Sequence, residues 1–79
     1  MKNNEATQSD TIVKIKSGRG QSVIFDCWKY WEIVGEISWR GANRFDALDA
    51  GKWCIRAKPG DRKEIKPDIE LIVERKKHG

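Results

Sequence analysis

Hydrophobic positions along the chain fall into short, separated groups. In residues 11–17 (TIVKIKS), Val13 and Ile15 alternate with Lys14 and Lys16, the two-residue period of a strand with one buried face. The glycines of GRGQ at 18–21 read as a turn, because glycine reaches positive φ without steric penalty. Residues 22–28 (SVIFDCW), rich in β-branched and aromatic side chains, read as a second strand that completes a hairpin. Residues 32–39 (EIVGEISW) place Ile33, Ile37 and Trp39 on one side of a third strand and Glu36 and Ser38 on the other, with Gly35 at a bulge or close approach. Segment 26–34 has a second reading, since Cys27, Trp31 and Val34 also fall at helical spacing. Its residues have modest helix propensity, so a bend before the third strand is preferred.

Residues 43–51 (NRFDALDAG) carry helix signals. Asn43 stands at the N-cap, Asp46 and Asp49 lie on a polar side, Phe45 and Leu48 face inward, and Gly51 occupies the place of a terminating glycine. Alternation returns at 52–58 (KWCIRAK), with Trp53, Ile55 and Ala57 on one face of a strand that ends at Pro59 and Gly60. Residues 61–66 (DRKEIK) read as a charged connection, and 68–74 (DIELIVE) as a last strand with Ile69, Leu71 and Val73 inward. The pattern predicts a small α+β domain over residues 11–74: an antiparallel sheet of four or five strands with one short helix at 43–51, in the manner of an SH3 or OB barrel. A helical 26–34 would instead give two helices on a smaller sheet. Residues 1–10 read as a flexible arm and 75–79 as a basic tail.

Size changes how the aromatics are read. A chain of 79 residues makes one domain, and at this length folding buries only about 60% of the unfolded surface. Large rings must therefore supply much of the core. Strand parity assigns Trp39, Trp53 and Phe25 to it and leaves Trp28, Tyr30 and Trp31 as the rings free for a contact. The charge of +4 favours acidic partners such as nucleic acid without demanding them. No apolar run approaches the roughly 18 residues of a membrane span, and the N-terminus lacks the basic and apolar regions of a leader, which predicts a soluble, cytoplasmic protein. In that setting Cys27 and Cys54 are expected as reduced thiols.

Catalytic chemistry is hard to build from these residues. The one histidine, His78, lies in the terminal tail, so neither a Ser-His-Asp site nor a Cys-His site can be assembled around it. Two cysteines and one histidine also fall short of a four-ligand zinc site. Carboxylate pairs such as Glu32 with Glu36 read as solvated faces, and SGRGQS lacks both the Gly-Lys-Ser/Thr ending and the following helix of a phosphate loop. The expectation is a binding module that is not an enzyme and needs no cofactor or metal.

What remains is the interleaving of aromatic and basic residues. Lys14, Lys16, Arg40, Arg56 and Lys58 are expected on one outer sheet face, with Arg19 at the hairpin tip and Lys29 among Trp28, Tyr30 and Trp31. Stacked rings beside a basic groove are the elements of single-strand nucleic-acid binding. The same residues suit a protein interface, where tryptophan, tyrosine and arginine concentrate as anchors. Two partner classes follow: nucleic acid or a nucleoprotein complex, and a protein docked by an adaptor or inhibitor of the kind encoded by phages and mobile elements.

Overall fold

The computed structural model describes residues 10–76. Strands β1 (Thr11–Ser17) and β2 (Val23–Asp26) form the expected hairpin, helices α1 (Tyr30–Trp39) and α2 (Arg44–Arg56) follow, and β3 (Arg62–Lys66) and β4 (Ile69–Arg75) close the domain. The sheet is antiparallel with order β2-β1-β4-β3. Its two edges, β2 and β3, do not pair with each other, so the sheet stays open and no SH3 or OB barrel forms. The helical pair carries the chain from one edge to the other.

Alternation in β1 and β4 works as the sequence predicts. Val13 stands opposite Phe25 on one side and Val73 on the other, and Ile15 lies between Val23 and Leu71. With Ile69 they form the sheet's half of the core. The helices supply the other half through Ile33, Val34 and Ile37 of α1 and Ala47, Ala50, Gly51 and Cys54 of α2.

Several expectations are corrected. The third strand at 32–39 is the helix α1: Ile33, Val34 and Ile37 recur at one and four residues, which a helix gathers on one side and a strand would divide. The strand at 52–58 is the continuation of α2, which runs past Gly51 to Arg56. Gly51 is no terminator; a Cβ there would sit 2.8 Å from the Tyr30 ring and 2.9 Å from Val34, so the missing side chain is what lets the helices touch. The charged connection at 61–66 contains β3, where Ile65 alone packs against the core. Asn43 caps α2 as expected, its Oδ1 accepting the Asp46 N–H at 2.8 Å. The arm at 1–10 and the tail at 75–79 lie largely outside the described residues; Arg75 ends β4, and Lys76 donates its backbone N–H to the Asp10 carbonyl.

Candidate functional site

The basic sheet face does not assemble. Opposite the helices, Lys14 lies beside Ile24 and Ile72, and Lys16 beside Glu70. Asp26, Glu64 and Glu74 share that face, and Arg62 is paired with Glu70 at 3.4 Å. The surface is of mixed charge. Arg56 and Lys58 are absent from it, because Arg56 ends α2 on the other layer and Lys58 follows it in the loop that leads to β3.

Arg40 departs furthest from expectation. It is only 3% exposed, and its guanidinium donates to Glu36 Oε2 and Ser17 Oγ at 2.7 Å, to the Arg19 carbonyl at 2.8 Å and to the Gln21 carbonyl. It fastens the β1–β2 turn to the end of α1. Arg19 stays exposed but is tied to the same place, donating to the Trp39 carbonyl at 2.8 Å, with its charge 5.7 Å from the Trp39 ring. Trp39, placed in the core by strand parity, is instead 54% exposed. Helical period sets it out of phase with Ile33 and Ile37, and Gly20, at φ +76, brings the turn against its ring. Phe45, also expected inward, is 81% exposed. Phe25 and Trp53 are half-buried against the core.

The other aromatics gather where β2 leads into α1 and α2 ends. Trp31 is 68% exposed, yet it is braced: the Tyr30 ring meets it edge-on at 4.7 Å and 77°, and Tyr30 itself rests on Gly51. Trp28 is half exposed and carries the Lys29 ammonium 4.6 Å from its ring, while Lys29 also reaches Glu32 at 4.0 Å. Beside Trp28 opens a cleft of about 220 Å³ lined by Cys27, Cys54, Ile55 and Ala57, with Arg56 and Lys58 on its wall. Its volume falls below the roughly 300 Å³ at which small-molecule pockets begin. A single inserted side chain suits it better.

Burial pushes the Cys54 thiol up to about 12, with the neighbouring Cys27 adding to the shift, and the Cys27 thiol up to about 11, with Asp26 adding. Both thiols are free and buried, and both stay protonated near neutrality. They form apolar wall rather than nucleophiles or ligands. Among the described residues no group of His, Cys, Asp and Glu is placed to hold a metal ion, and no helix is long and apolar enough to cross a membrane.

Of the residues singled out from the sequence, the structure sets Trp28 with Arg56 and Lys58 at the cleft, Lys29 on the Trp28 ring, and Tyr30 against Trp31 at the start of α1. It leaves Lys14 and Lys16 on the sheet, Arg19 in the turn and Arg40 at the end of α1, bonded to that turn. Ile55, and the cleft it shares with Cys27 and Cys54, were not legible while 52–58 was read as a strand. Compared with protein-family models, with curated proteins and with solved structures, the chain has no match.

Proposed function

We propose that this protein is a non-enzymatic docking module that binds a larger protein or nucleoprotein assembly, as an adaptor or inhibitor, through the end of the domain built from Trp28, Trp31 and Ile55. The observation that carries this reading is Trp31, a ring left in water by most of its surface but braced by the edge of Tyr30, which itself rests on Gly51. An anchor immobilised before binding loses little entropy on docking. Large exposed rings at protein interfaces commonly dominate the affinity.

The chemistry of the partner follows from the surroundings. Ile55 and the Cys27–Cys54 cleft accept an apolar side chain, while Lys29, Arg56 and Lys58 favour carboxylates around it. The partner surface is an apolar projection in an acidic setting. Nucleic acid is the less favoured ligand, because the lysines of the sheet stand among carboxylates, Arg19 and Arg40 are engaged within the protein, and one face of Trp28 already carries Lys29. The reducing cytoplasm suits two free thiols and is part of the same proposal.

The test is capture from nuclease-treated lysate with washing at about 0.5 M salt, where exposed charge pairs are strongly screened. A protein retained by the native chain, lost with Trp28→Ala/Trp31→Ala and kept with Lys14→Glu/Lys16→Glu supports the reading. Recovery abolished by nuclease, together with oligonucleotide affinity that falls steeply against salt, replaces it with nucleic-acid binding. Equal capture by native chain and tryptophan variant moves the contact elsewhere.

A further inference from the structure

The two edges of the sheet are treated differently by the sequence. β3 (RKEIK) is guarded by Arg62, Lys63 and Lys66, by a register shift between Glu64 and Lys66, and by Pro67 immediately after it. Such features keep an edge strand from pairing with other chains. β2 (VIFD) has no lysine, arginine, proline or bulge, and its central Ile24 is 54% exposed.

The direction of the β2 backbone can be read from one bond. Cys27 donates its N–H to the Thr11 carbonyl at 2.9 Å, so the backbone groups of Cys27 face β1. In an antiparallel ladder this direction alternates along the strand. Phe25 and Val23 therefore also face β1, and Ile24 and Asp26 face outward. The Asp26 carbonyl is taken by the Lys29 N–H at 3.0 Å. The N–H and C=O of Ile24 and the N–H of Asp26 remain directed at the edge.

We infer that β2 is a self-pairing edge, where a second copy of this chain adds its own β2 antiparallel about a two-fold axis and the two sheets become continuous. Side chains directly opposite in a ladder share a face, so a symmetric pairing must set Ile24 opposite Ile24, or shift from that register by whole residues in both chains. The Ile24 register is the favoured one. It exchanges two backbone bonds at the axis, lets each Asp26 N–H meet the Ser22 carbonyl of the second copy, and buries the two Ile24 side chains against each other. Shifting until Asp26 opposes Asp26 would instead bring together two carboxylates, each already paired with its own Lys76 at 2.9 Å, and part the two Ile24 side chains. A strand of four residues makes a small interface, of the weak, transient class.

Sedimentation equilibrium of the full chain from micromolar to millimolar concentration tests this, with Ile24→Pro and Ile24→Lys as variants. Proline removes the outward N–H at the axis without touching a bond to β1, and lysine sets two charges face to face. The expected result is a mass that rises from 9.1 kDa toward twice that value for the native chain and stays at one chain for both variants. Hydrogen exchange should show the Ile24 and Asp26 amides slowing as concentration rises. A native chain that stays monomeric at millimolar concentration overturns the proposal. So does a dimer that survives both substitutions, or one whose Ile24 amide exchanges at a concentration-independent rate. A folding failure of the proline variant, seen by circular dichroism, leaves the lysine variant and the exchange data to decide.

Discussion

Arg40 carries a charge that almost no water reaches, and four partners surround it. Removing it strands the Glu36 carboxylate and leaves the turn carbonyls of Arg19 and Gln21 without donors. Losing these part-buried charged hydrogen bonds costs about 1 to 3 kcal/mol. Arg40→Ala should lower stability by that amount in urea or thermal melts, and Arg40→Lys should recover little, because an ammonium cannot reproduce the planar fork. The cysteines give a second prediction. Their folded pKa values lie above the unfolded value of 9.0, so as pH rises the unfolded chain releases thiol protons first. The contribution is intact below pH 9 and is lost as pH climbs through about 11 and 12. Urea midpoints should fall between about pH 8 and about pH 10.5, and Cys54→Ala should reduce that fall. A thiol reagent at neutral pH should label the denatured chain quickly and the native chain slowly. At this scale the sequence marks residue type but not destination. Nothing in WRG says that the arginine turns back into the hairpin tip, because the contacts that hold it come from residues 17 to 21.

Strands β1, β2 and β4 were legible because two-residue alternation shows directly which side is buried. The helices were harder. Apart from Glu32 and Glu36, α1 is built from Tyr, Trp, Ile, Val, Gly and Ser, which have modest or poor intrinsic preference for it, and it exists because Ile33, Val34 and Ile37 find the sheet. Their spacing, with Glu32, Glu36 and Arg40 at intervals of four, was the available signal. In α2 the buried face is Ala47, Ala50, Gly51 and Cys54, small residues that leave little hydrophobic contrast while Trp53 and Ile55 imitate a strand. β3 offered one apolar residue, Ile65, too few for a period. Two glycines test this account of the helix layer in opposite directions. Gly51→Ala forces a methyl into the Tyr30 ring and should cost about 1 to 3 kcal/mol, the range of core overpacking. Gly35→Ala meets nothing within 4 Å and should stabilise by about 0.5 to 1 kcal/mol through helix propensity alone. Thermal melts of the pair read out both signs.

For the molecule as a whole, the proposed function makes the sheet a scaffold and the helical layer the part that presents the contact at one end. That division was only partly legible: aromatic and basic residues marked Trp28, Lys29, Tyr30 and Trp31, but which lysines and arginines joined them depended on where 52–58 lay. The central claim is that Trp31 is held for a partner and contributes little to holding the fold. The most direct test measures both properties on one variant. Trp31→Ala should melt close to the native chain, since most of the ring is already in water, and should bind the captured partner about 30-fold more weakly or worse, the loss that a hot-spot anchor of about 2 kcal/mol implies. Unchanged affinity, or a loss of stability comparable to that of Arg40→Ala, would contradict the account.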